Sequence, residues 1–112
     1  MKVIYIAGPF RGKTPWDVEC NVRRAEALAL EVYKLGAFAV CPHANTRFFD
    51  GQLTDAFWLA GTLELLRRCD AVMLVEGWER SSGTLGEIAV AERTMPVFKD
   101  LSELDLWLED TK

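Results

Sequence analysis

Two hydrophobic patterns alternate along the chain: short unbroken apolar runs of strand length, and longer stretches with an apolar group every three or four residues. Lys2 to Ala7 is apolar and β-rich and stops at Gly8-Pro9, so it reads as a buried first strand. From 17 to 35, a helical stripe runs through Val18, Val22, Ala25, Leu28, Ala29, Val32 and Leu35 and is closed by Gly36. Phe38 to Cys41 is a second strand, ended by Pro42. Residues 42 to 53 hold turn formers without a period and are expected to form a long loop. A helix follows from about Thr54 to Arg68, with Phe57, Trp58, Gly61, Leu65 and Leu66 expected on its packing side. After Asp70, which is placed to tie down the start of the next strand, Ala71 to Val75 is apolar on both faces, as a central parallel strand is. The turn-rich segment from Glu76 leads into a helix from about Gly83 to Arg93. Pro96 to Phe98 is a last short strand and Leu101 to Leu108 a final helix.

Strands and helices in alternation predict a three-layer α/β/α fold with a parallel Rossmann-like (flavodoxin-like) sheet of four to five strands. No repeat or linker divides the 112 residues, so 1–112 is read as a single domain. Ligands of such sheets sit beyond the carboxyl ends of the strands, which singles out the loops at 8–16, 42–53 and 76–84. A domain of this length buries roughly 65% of its unfolded surface and has little chain left to enclose a deep pocket. A homodimer or higher homo-oligomer is the expected way to close a site.

Composition adds exclusions. Thirteen Lys and Arg against 17 Asp and Glu give a net charge of −4, which argues against a nucleic acid polymer as partner. Free nucleotides need only one or two local cations and stay open. No apolar run is long enough for a signal peptide or a membrane span, so no membrane partner and a cytoplasmic location are expected. Cys20, Cys41 and Cys69 are odd in number and lack C-x-x-C spacing, so neither a disulfide framework nor a metal site is indicated; all three read as small buried hydrophobes.

The first loop places Gly8 and Gly12 with Arg11 and Lys13 at a carboxyl edge, where glycines let backbone approach a ligand and Arg11 is suited to clamp a phosphate. Neither the dinucleotide nor the triphosphate glycine fingerprint is present. In the third loop, Ser81-Ser82-Gly83-Thr84 precedes a helix whose free N–H groups favour an anion. Glu87 follows in the first turns and is suited to meet a cationic sugar intermediate. The same spacing, Thr84-Leu85-Gly86-Glu87, also fits a capping box in which Glu87 only bonds back to the Thr84 N–H. His43, the only histidine, follows the second strand, as a structural group or as a ligand contact. Tyr5 reads as core. Trp58, Trp78 and Trp107 read as core or interface aromatics, with Trp78 beside the serines the one placed to stack on a base.

Taken together, Tyr5-Ile6-Ala7-Gly8-Pro9-Phe10-Arg11-Gly12, Cys69-Asp70-Ala71-Val72 and the spacing from Ser81-Ser82-Gly83 to Glu87 resemble the nucleoside 2-deoxyribosyltransferase superfamily, in particular a small bacterial and phage branch similar to its 2′-deoxynucleoside 5′-phosphate N-hydrolases. The resemblance implies a five-stranded parallel sheet between helices and cleavage of an N-glycosidic bond without metal or organic cofactor. It implies Glu87 as the nucleophile at the anomeric carbon, Tyr5 as the residue that orients it, and Ser81 as a phosphate contact. Arg11-Gly12 matches a ligand-contacting pair of the same branch. The expected substrate is a small-molecule nucleotide or nucleoside, held by Ser81, Ser82, the Gly83 N–H and Arg11, with Gly8 and His43 nearby and Phe10 or Trp78 at the base. Where those enzymes carry an aspartate on the second helix this chain has Thr62, and where the phosphate branch has a first-loop serine it has Pro9. Asp50 or His43 then become the alternative acids. Thr62 also favours the alternative function, a non-catalytic nucleotide-binding module acting as a sensor or sponge.

Overall fold

Four strands, β1 (Val3–Ala7), β2 (Phe38–Val40), β3 (Ala71–Leu74) and β4 (Val97–Phe98), form one sheet in the order β2-β1-β3-β4 in the computed structural model, which describes residues 1–112. Every pairing is parallel, with Tyr5 opposite Val40 on one side and Val72 on the other. Five helices connect and flank the strands: α1 (Pro15–Lys34), α2 (Pro42–Asn45), α3 (Asp55–Arg67), α4 (Ser82–Ala91) and α5 (Leu101–Asp110). None of them is long and apolar enough to cross a membrane.

The period-two geometry of β1 divides the core in two. Ile4 and Ile6 point into a cluster with Ala25, Ala29 and Val32 of α1 and Leu104 and Leu108 of α5. Tyr5 and Ala7 point the other way, into a cluster with Leu66 of α3 and Ala91 of α4. The result is the expected three-layer α/β/α arrangement, with four strands. Asp70 joins the two central strands: its carboxylate accepts from the Val3 N–H at 2.8 Å, and its own N–H donates to the Val3 carbonyl at 2.8 Å.

Three local expectations are corrected. The segment after β2 opens with the helical turn α2, because Pro42 stands at a first helical position, where its fixed φ fits and its missing N–H is not needed. Second, α1 begins at Pro15, ahead of the apolar stripe, on a capping box in which Thr14 Oγ1 accepts from the Asp17 N–H and Asp17 accepts from the Thr14 N–H. Third, Phe57 and Gly61 of α3 face outward; Leu66 is its one fully buried residue and Leu63 and Leu65 pack beside it. The apolar groups of α3 occupy too many sides of the helix for periodicity to select a face. Of the three free thiols, Cys69 is buried while Cys20 and Cys41 are only partly so.

Candidate functional site

A cleft of about 540 Å³ opens beyond the carboxyl ends of β1 and β3. In this strand order β1 is where the chain changes direction across the sheet, so the cleft lies at the switch point of the fold. Its floor is Tyr5 and Glu87. Its walls are the β1–α1 loop, α2 with the segment after it, the first half of α3, and the N-terminus of α4. The volume is in the range of small-molecule sites.

Tyr5 and Glu87 are 82 residues apart in sequence, and the Tyr5 hydroxyl donates to the Glu87 carboxylate. Tyr5 reaches it because odd positions of β1 face the α3/α4 layer, and Glu87 lies one and a half turns into α4 with its side chain directed back over the strand end. Burial, then the neighbouring carboxylate, pushes the Tyr5 phenol far above its ordinary value, so it stays protonated and remains a donor; Thr62, also at the phenol, pulls weakly the other way. Glu87 is half-buried, and desolvation raises its carboxyl above the usual range while the Tyr5 hydrogen bond opposes the rise.

The capping-box reading of Glu87 is overturned. Ser81 is the N-cap of α4, and its Oγ accepts from the Thr84 N–H at 3.2 Å and from the Thr84 hydroxyl at 2.9 Å. Thr84 occupies the third helical position, so the helix is capped one turn earlier than Thr84-Leu85-Gly86-Glu87 suggested, and Glu87 is left free to face the cleft. The N–H groups of Ser82 and Gly83 have no acceptor within the protein and line the same cleft.

His43 is buried, with Nε2 3.0 Å from the Gly8 carbonyl and 2.9 Å from the Pro9 carbonyl. Both partners are acceptors, so Nε2 carries the proton and donates. Burial lowers the His43 pKa below the ordinary histidine value, against the opposing effect of those carbonyls. The imidazole therefore pins the β1–α1 loop and presents its ring, edge-on to Phe10 at 5.6 Å, to the cleft.

The glycines of that loop are required by packing. A Cβ on Gly8 would lie 2.4 Å from the Val75 Cβ, and one on Gly12 would lie 2.4 Å from the Asp17 Cβ. Gly8 lines the cleft, whereas Gly12 lies outside it in an adjoining basic depression. Arg11 borders both and pairs with Asp55 at 3.0 Å across the rim.

Trp78 is corrected as a base contact. It sits in a single 3₁₀ turn (Trp78–Arg80), packs on the α3/α4-side core and lies under Lys99, whose Nζ is 5.3 Å from the ring centroid; it does not reach the cleft. Phe10, the other expected base contact, does line the cleft, and so does Trp58 of α3, which is stacked on Phe49 at 6.5 Å and has its indole N–H sealed from solvent with no acceptor. Asp50, Asp55 and Leu59 also line the wall. The signal for this wall was present in the sequence: Asp55, Trp58, Leu59 and Thr62 share one helical stripe, which becomes visible once Thr62 is fixed as a cleft residue.

Fold and site define an open parallel α/β protein with a switch-point cleft floored by a tyrosine–glutamate pair. The chain belongs to the family described as Domain of unknown function (DUF7768), whose model matches residues 2–99. No curated protein matches it.

Proposed function

We propose that the protein is a nucleotide N-glycosidic bond hydrolase or deoxyribosyltransferase-like enzyme that acts on a nucleoside 5′-monophosphate through Glu87. The observation that carries this reading is the half-buried hydrogen bond from Tyr5 to Glu87 on the floor of a nucleotide-sized cleft, beside a helix N-terminus with two free N–H groups. The 5′-phosphate sits at Ser82 and Gly83, with the Ser81 hydroxyl proton and Arg11 as further donors. Glu87 attacks the anomeric carbon, the C–N bond breaks with its electron pair going to the base, and water or a second base then takes the glycosyl group from the carboxylate. Tyr5 favours the ionised form of Glu87 against desolvation and holds it in the attacking orientation. With His43 Nε2 occupied by two carbonyls and Asp55 paired with Arg11, the leaving base takes its proton at the rim, where Asp50 lines the wall. General acid help is typically worth about 10²- to 10⁴-fold.

Self-association and a cytoplasmic location belong to the same reading. Phe49 and Phe57 pack on Trp58 of the cleft wall and, with Phe48 and Leu59, are exposed apolar groups suited to a second copy of the chain. The test of the activity is incubation with deoxy- and ribonucleoside monophosphates, following free base by chromatography.

Thr62 favours a second reading, a nucleotide-binding module without turnover. It places a hydroxyl, which does not act as an acid at neutral pH, where the resembled enzymes hold a carboxyl. Calorimetry with recovery of intact nucleotide supports the module; released base supports the enzyme.

A further inference from the structure

The protein carries a net charge of −4, yet one depression concentrates positive charge. It holds about 450 Å³ and adjoins the main cleft, with which it shares Pro9, Arg11 and Arg80. Lys13, Arg24, Arg11 and Arg80 line it, against the carboxylates of Asp17 and Glu76. Asp17 also accepts from the Thr14 N–H at the cap of α1, and the four cations outnumber the two carboxylates.

These cations are unmatched to different degrees. Lys13 and Arg80 make no ion pair, and Arg24 donates only to the Asn21 side chain at 3.2 Å. Arg11 has an exposed pairing with Asp55, of a kind that is easily exchanged for another anion. Gly77 has φ +94°, and a Cβ there would lie 3.2 Å from Arg80 Nη2 and 3.7 Å from Pro9 Cγ, so the guanidinium lies over the bare glycine on the boundary between the two clefts. Three cations without a carboxylate partner and a fourth, Arg11, in an exposed pair, gathered beside the cleft that holds the α4 N-terminus, fit a chain of phosphates.

We propose that this depression is a polyphosphate subsite, so that the cleft takes nucleoside di- and triphosphates as well as monophosphates and holds them more tightly. The inference rests on the nucleotide reading of the main cleft: the first phosphate lies at Ser82 and Gly83, the chain crosses Arg80 and Arg11, and the distal phosphates reach Lys13 and Arg24 by charge-assisted hydrogen bonds. A free polyphosphate offers the same chemistry as the tail of a nucleotide, and the test separates the two.

Calorimetry on Glu87→Gln, in which bound nucleotide is not consumed, compares 2′-deoxyadenosine 5′-monophosphate, its triphosphate and inorganic tripolyphosphate. Lys13 and Arg24 are exposed, so the double variant Lys13→Ala, Arg24→Ala keeps the fold. The triphosphate is expected to bind about tenfold or more tighter than the monophosphate, and the double variant to erase that preference while leaving the monophosphate unchanged. Equal affinities for the two nucleotides, or a preference that survives the double variant, would overturn the proposal. Binding of tripolyphosphate alone, lost in the double variant, would keep the basic subsite and overturn the nucleotide reading of the main cleft.

Discussion

Removing the Tyr5 hydroxyl takes away the one interaction that holds the Glu87 carboxyl down against desolvation. In Tyr5→Phe the acidic limb of the rate profile should therefore move to higher pH than in the wild type, as read from kcat/KM for base release across pH. Because the carboxyl pKa is raised in the folded chain, the native state keeps a proton that the unfolded chain has released. Stability from this residue is full below the ordinary value of 4.5 and falls as pH rises through the shifted one. Glu87→Gln removes the buried charge and keeps an acceptor for Tyr5, so it should raise stability at neutral pH by about 1 kcal/mol, or about 4 °C in Tm. His43 has the opposite sign: its pKa is lowered, so its contribution is present above the ordinary value of 6.5 and lost as pH falls below it. Between about pH 7 and pH 5 the Tm loss should be shallower in His43→Gln and steeper in Glu87→Gln than in the wild type. A scan in which all three curves run parallel would contradict both assignments.

At the scale of elements, the strands were legible in the sequence because they are unbroken apolar runs, and α1 because its stripe repeats faithfully to Gly36, whose φ of +90° ends the helix as read. The first half of α3 was not legible as a wall. Its apolar groups surround the helix, and only the docking of Leu66 on the sheet decides that Trp58 and Thr62 turn to the cleft. Trp78 and Trp58 were equally aromatic in the sequence; the turn at Gly77 and the position of Lys99 decide that the first packs on the core. The start of α4 was ambiguous because both Ser81 and Thr84 suit an N-cap, and the choice depends on Tyr5, a strand away, engaging Glu87. The β1–α1 loop follows the sequence closely, yet its glycines serve contact with Val75 and Asp17. Gly8→Ala should cost about 1–3 kcal/mol, measured by denaturant unfolding, since Val75 is buried and its Cβ moves only with the backbone.

For the whole molecule, the expectation from length was that the chain would have little left to enclose a deep pocket, and the cleft is open to solvent. If a second copy covers the rim of Phe48, Phe49, Phe57 and Leu59, sedimentation velocity should show a dimer or larger assembly, and Phe57→Glu should shift it to monomer with little change in Tm, because Phe57 is 55% exposed. A monomeric wild type would remove the rim from the account. The family model spans 2–99, so the sheet and every cleft residue fall within it. The most direct measurement is the initial rate of free base release from nucleoside 5′-monophosphates by the wild type and by Glu87→Ala, side by side. The account predicts release by the wild type and none above background by the variant; equal rates from the two proteins would contradict it.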